Sequence, residues 1–179
     1  APANITNMIT NVGYNVDGDD ADTLVDFGID IATVIPPVCG TLAQPNDGTD
    51  PASDFCEPTP PAIPTAAQCA AISGNIAIID RGTCAFTVKI ENAQACGATA
   101  VIICNCDANL ADCNSENNDQ VSGMVGTSVN PITIPTIFLS YNQCQQIYVN
   151  LNDGPVDMCI GAPMPVPCER TVNIDGCVF

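Results

Sequence analysis

Residues 74–105 read GNIAIIDRGTCAFTVKIENAQACGATAVIICN, and the changes of period inside this stretch decide the fold. Ile76, Ala77, Ile78 and Ile79 make a short apolar run, β-branched at three of four places, as expected for a strand buried on both faces. Asp80-Arg81-Gly82-Thr83 interrupts the run with turn-forming residues. From Phe86 the period becomes helical: Phe86, Ile90 and Ala93 fall on one stripe, and Lys89, Glu91, Asn92 and Gln94 face elsewhere. Thr83 is the predicted N-cap, and Gly97 stands where a left-handed residue would end the helix. Ala100 to Cys104 (AVIIC) is a second buried strand, and a helix between the two makes a parallel crossover unit. The helix is predicted over 85–96.

The residues that punctuate this unit also carry a resemblance. Asp80-Arg81-Gly82-Thr83-Cys84, Phe86, Lys89 three residues later, Asn92-Ala93-Gln94, Gly97-Ala98 and the following Ile/Val run resemble the protease-associated (PA) domain family. An Ile-Pro strand leading into a helix is similar too, IPTIFLSYNQCQQIYVNL at 134–151, as is Phe27-Gly28 upstream. The likeness is specific over 74–151, looser over 24–73 and absent elsewhere. It implies a non-catalytic module, appended to or inserted in secreted proteases or displayed on sorting receptors. Asp80, Arg81, Gly82, Cys84, Phe86, Lys89 and Gly97 are then the residues of the structural motif. Arg81 and Lys89 are expected to fix the turn by meeting a carboxylate or a helix-end carbonyl. The competing reading is contact with a peptide or protein ligand.

A chain of 179 residues is most simply one domain with extended ends, large enough to bury close to ~70% of its unfolded surface. Three segments are distinguished: an N-terminal strand segment and acidic loop (1–23), the PA-like domain (24–151), and a Pro/Cys-rich C-terminal extension packed on the same domain (152–179). The net charge of −17, with Arg81, Lys89 and Arg170 as the three cations, repels nucleic-acid phosphates and anionic lipid heads. No run of about 18 apolar residues offers a membrane span. The start, Ala-Pro-Ala, reads as a mature N-terminus left after processing.

Twelve cysteines and no histidine point to an oxidising compartment rather than a zinc site. Cys39, Cys56, Cys69, Cys84, Cys96, Cys104, Cys106, Cys113, Cys144, Cys159, Cys168 and Cys177 are therefore all expected in disulfides, with no free thiol. Cys84 and Cys96 flank the central helix, about 18 Å apart along its axis, too far to bridge each other. Each is expected to tie one helix end to a neighbouring segment. Cys106–Cys113 is the expected local bridge of the Asn/Asp-rich loop 106–131, and the Pro/Asp-rich loop 45–66 is expected to be held by Cys39, Cys56 or both. Gln68 to Ile72 suggests a helical turn. Ile134 to Leu139 reads as a strand, and 141–151 as a second helix with Tyr141, Cys144, Tyr148 and Leu151 on one stripe.

Without histidine there is no Ser-His-Asp triad, Cys-His pair or His-Glu-x-x-His zinc site, and no catalytic residue is assigned. A pair among the 20 acids is the remaining enzymatic alternative. In Asn15-Val-Asp17-Gly-Asp19 with Asp26, oxygen ligands fall at positions 1, 3, 5 and 12 of a calcium loop. However, Asp20 stands where that loop needs glycine. These four residues are the candidate calcium ligands, and no other cofactor is implied.

The expected architecture is α+β: a curved mixed sheet or sandwich flanked by two helices, with long disulfide-linked loops. The expected function is a secreted or cell-surface interaction module that binds or positions a protein or peptide partner, or a protease domain of the same precursor. Its surface would be built from loops 45–66 and 106–131. The alternative is a disulfide-stabilised structural subunit of an extracellular filament or coat, self-associating through the alternating segments at its chain ends.

Overall fold

A computed structural model of the protein describes residues 28–29, 31–49, 53–105, 124 and 126–162. Its centre is a five-stranded mixed sheet in the order β4-β3-β2-β1-β5. The strands are β1 (Val38–Ala43), β2 (Ile76–Asp80), β3 (Ala100–Cys104), β4 (Thr136–Leu139) and β5 (Asp157–Ile160). β1 to β4 run parallel, and β5 pairs antiparallel with β1, Cys39 facing Cys159. The helices are α1 (Ala66–Cys69), α2 (Phe86–Ala95) and α3 (Tyr141–Asp153). This is the α+β arrangement of curved mixed sheet, two flanking helices and cross-linked loops.

The two-residue period of the strands sorts the core into halves. Ala77, Ile79, Val101, Ile103 and Phe138 pack with Ile90 and Ala93 of α2. Their neighbours Ile76, Ile78, Ala100, Ile102, Ile137 and Leu139 pack with Cys144 and Ile147 of α3. β2 and β3 are in register over five residues, Ile76 opposite Ala100 through Asp80 opposite Cys104. The five isoleucines of β2 and β3, at positions 76, 78, 79, 102 and 103, face the two layers and are fully buried. Each contributes about 1.5–3 kcal/mol of transfer free energy.

Several element ends differ from expectation. α2 begins with Ala85 as N-cap, without a side-chain capping bond; Thr83 instead lies in the turn at φ +62°. The reason is the Cys56–Cys84 disulfide, which pins residue 84 so that the chain reaches helical geometry only after Ala85. Gly97 ends the helix at φ +78°, a conformation costly for any residue with a Cβ. β4 starts at Thr136 rather than Ile134, because Pro135 donates no ladder bond. β5 lies inside the segment 152–179, joined to β1 by Cys39–Cys159.

The segment 1–23, the candidate calcium ligands Asn15, Asp17, Asp19 and Asp26, and the cysteines 106, 113, 168 and 177 lie outside the described residues. So does Arg170 with the chain's C-terminal end. Among the described residues no helix is long and apolar enough to cross a membrane, and no group of three His, Cys, Asp or Glu side chains forms a metal cluster.

Candidate functional site

α2 is the element on which the candidate surface is built. At about 100° per residue, its ten positions divide into a core stripe (Phe86, Ile90, Ala93) and two polar flanks. Thr87, Glu91 and Gln94 form one flank; Lys89 and Asn92 form the other. Neither flank faces solvent: Thr87, Lys89, Glu91 and Asn92 are all buried. Each flank grips one loop by its backbone.

The first flank holds residues 126–133. Glu91 accepts from the amide N–H groups of Val129 (2.7 Å) and Asn130 (3.0 Å) and from the Asn130 side chain. Gln94 donates to the Pro131 carbonyl (2.8 Å) and accepts from the Thr133 N–H (2.6 Å). Thr87 donates to the Thr127 carbonyl, and a Cβ on Gly126 would sit 2.8 Å from the Thr87 methyl. Only glycine permits that approach. A carboxylate receiving three donors in a buried place is a charge-assisted clamp, stronger than neutral bonds.

The second flank holds residues 54–58. Asn92 donates to the carbonyls of Phe55 (3.1 Å) and Pro58 (3.0 Å). Lys89 donates to the Asp54 carbonyl and stands 3.2 Å from Cys56 Sγ. Burial pushes the Lys89 ammonium down to about 8, and the carboxylates of Asp54, Asp80 and Asp47 partly oppose that shift. Phe55 sits at φ +53° with its ring fully buried in the α2-side core. Asp47 closes the loop on itself, accepting from Thr49 N–H and hydroxyl and from Glu57 N–H. Burial raises its pKa, but these donors outweigh burial and leave it below the usual carboxylate value. Gln68 of α1 donates to the carbonyls of Asp47 and Glu57.

The turn 80–85 joins both systems at the carboxyl ends of β2 and β3. The Arg81 N–H donates to the Cys104 carbonyl (2.8 Å), and its guanidinium donates to Asn105 Oδ1 (3.0 Å). The guanidinium also lies 5.7 Å and 5.9 Å from the ring centres of Phe86 and Phe138, within cation–π range. Asp80 accepts from the Tyr148 hydroxyl at 2.6 Å. Burial, then the Asp80 charge, pushes the Tyr148 pKa above its ordinary value.

Disulfides close the frame: Cys56–Cys84, Cys69–Cys96, Cys104–Cys144 and Cys39–Cys159. Cys84 and Cys96 tie opposite ends of α2 to the 53–58 loop and to α1. Asp80, Arg81, Gly82, Cys84 and Phe86 thus gather in one turn, Lys89 reaches it through the Cys56–Cys84 bridge, and Gly97 sits at the far end of the helix. Neither Arg81 nor Lys89 donates to a carboxylate among the described residues. Arg81 meets a side-chain amide and two rings, and Lys89 meets a loop carbonyl and a sulfur.

Thr87, Glu91, Asn92, Gln94, Phe55 and Gly126 are the residues that sequence reasoning missed. The available signal was a helix with polar residues on two separate flanks, next to two loops too long to hold themselves.

The PA domain model matches residues 32–147. The chain belongs to the PA domain family. This PA domain is 27% identical over 153 residues to "Signal peptide peptidase-like 3" of Oryza sativa subsp. japonica, covering 85% of this chain and 26% of the relative. It is 40% identical over 73 residues to an "Aminopeptidase" of Pseudomonas aeruginosa, 39% of this chain and 12% of the relative. The chain thus spans about a quarter or less of these relatives' lengths. Among solved structures, a zinc aminopeptidase from Bacillus subtilis aligns with a TM-score of 0.47 and 21% identity, over 76% of this chain and 26% of that one.

Proposed function

We propose that this PA domain is a non-catalytic, secreted or cell-surface interaction module that binds or positions a protein or peptide partner. The partner on this reading is either a separate chain or a protease domain of the same precursor. The observation that carries the reading is the use of α2. Its charged and amide side chains are turned onto loop backbone, so they hold two loops in place rather than face a substrate. Between those loops the helix presents Val88 and Ala95, without a charge, and the loops themselves expose Ile63 (74%) and Val129 (61%). Rigid loops carrying exposed apolar side chains suit recognition at low ordering cost.

The experiment is selection from a displayed peptide library with the folded chain as bait. Affinities for enriched sequences would then be measured by calorimetry on the wild type and on Ile63→Ser/Val129→Ser. The reading expects enriched peptides whose affinity falls at least tenfold in the double variant. Peptides that bind both proteins equally, or no enrichment at all, would contradict it.

A further inference from the structure

Of the four described disulfides, one has a buried cation against its sulfur. Lys89 Nζ stands 3.2 Å from Cys56 Sγ, and Lys89 has no exposed surface. Among the described residues its other contact is the Asp54 carbonyl, so the ammonium faces a poor acceptor, a divalent sulfur. The two residues of the bridge also differ in exposure: Cys56 is buried (7% exposed), and Cys84 is partly exposed in the turn before α2.

We propose that Cys56–Cys84 is a thiol-exchange site, at which an external thiol attacks Cys84 and Cys56 leaves as a thiolate held by the Lys89 ammonium. In the first step a thiolate RS⁻ forms a bond to Cys84 Sγ, the Cys56–Cys84 bond breaks, and its electron pair departs on Cys56. A second RS⁻ then attacks the mixed disulfide, releasing RSSR and leaving Cys84 as a thiolate. The external thiol is oxidised and the bridge reduced, two electrons in all.

Exchange is faster when the leaving thiol has a low pKa, and a neighbouring cation lowers it from about 8.5. The opposing groups are the carboxylates of Asp54, Asp80 and Asp47. Burial lowers the Lys89 pKa to about 8 and these carboxylates partly oppose that shift, so at neutral pH the ammonium stands beside Cys56 when the thiolate appears.

The other bridges lack this arrangement. Cys104 and Cys144 are fully buried. Cys39 is exposed on β1, but neither it nor Cys159 or Cys69 has a cation contact among the described residues. Arg81, the other described cation, is engaged with Asn105, Phe86 and Phe138. Opening Cys56–Cys84 would remove the covalent tie between the 53–58 loop and the turn 80–85, leaving the Asp80–Ser53 backbone bond and the sheet cross-links in place.

The test equilibrates the full chain with a series of glutathione and glutathione disulfide ratios, traps thiols by alkylation, and maps each bridge by mass spectrometry. Cys56–Cys84 should open at the most oxidising ratio of the four, with the glutathione adduct on Cys84. Lys89→Met should lower its reduction equilibrium constant about tenfold, or ~30 mV, while Lys89→Arg retains the wild-type value and Cys39–Cys159 is unchanged in both. Opening in step with or after the other bridges, or adducts on Cys56, would overturn the proposal in the wild type alone, even if Lys89→Met fails to fold. An unchanged equilibrium in a folded Lys89→Met would overturn it as well.

Discussion

α2 and α3 pack on opposite faces of one sheet and solve the same problem by different means. α3 is an amphipathic surface helix. Cys144 and Ile147 are buried, Gln145, Gln146 and Val149 are exposed, and Ser140 starts it with a reciprocal capping box through Gln143. α2 has no side-chain cap and buries six of its ten residues, Lys89 and Glu91 among them. α3 is therefore specified by its local sequence. α2 is specified by what surrounds it: the sheet, two loops and a disulfide at each end. A polar helix position next to a long loop is thus a candidate clamp, whereas the same residue on α3 is only solvated.

The largest expected effect probes what the two helices share. Ile90→Ala on α2 and Ile147→Ala on α3 each remove a fully buried side chain. Each should cost about 2–5 kcal/mol in denaturant-unfolding free energy. A much smaller loss at either position would break the symmetry of the two core faces.

The next comparison separates the helices. Glu91→Ala deletes a buried acceptor of three hydrogen bonds and should cost about 2–3 kcal/mol. Gln145→Ala, exposed at an outward position of α3, should stay within about 0.5 kcal/mol. Equal losses would mean that α2's flanks are no more structural than α3's outer face.

Lys89 gives α2 a pH dependence between about 8 and 10 that α3, whose Tyr148 acts only at higher pH, does not share. Its folded pKa, about 8, lies below the unfolded value of about 10.4. Between these values the unfolded chain binds more protons, so stability should rise with pH from about 8 to about 10. The gain should be on the order of 1–2 kcal/mol, and it should vanish in Lys89→Met. Tyr148, whose pKa is raised, acts in the opposite sense only above about 10. Stability that falls through the window from 8 to 10 in the wild type would contradict the assignment.

The smallest effects concern the helix starts. Ser140→Ala should cost about 1 kcal/mol by removing the α3 cap, and Ala85→Ser should add about 0.5 kcal/mol by supplying the cap α2 lacks. A destabilising Ala85→Ser would show that the turn pinned by Cys56–Cys84 leaves no room for a capped geometry.

Much of the fold was legible because period reports burial. Ile76–Asp80 and Ala100–Cys104 read as buried strands, the stripe of Phe86, Ile90 and Ala93 located α2, and Gly97 marked its end. The Asp80 to Phe86 pattern was enough to suggest the family. The clamp was not legible, because a periodicity argument assigns every non-core polar residue to solvent. Nothing local distinguishes Glu91, which holds Val129 and Asn130 from 38 and 39 residues away, from an exposed glutamate. Phe55 was hidden for the same reason: a single aromatic in a Pro/Asp-rich loop has no period. β5 has four residues, too few to stand out from the Pro-rich segment around it. Thr83 was misread because cap preference is local, and the disulfide next to it is not.

Amide hydrogen exchange at Val129 and Asn130 tests the central claim, that α2 holds the loops in place, most directly. Both N–H groups should be protected in the wild type, and Glu91→Ala should release them toward free-loop rates while the β2–β3 amides stay protected. Fast exchange at Val129 and Asn130 in the wild type, or protection that survives Glu91→Ala, would contradict the account.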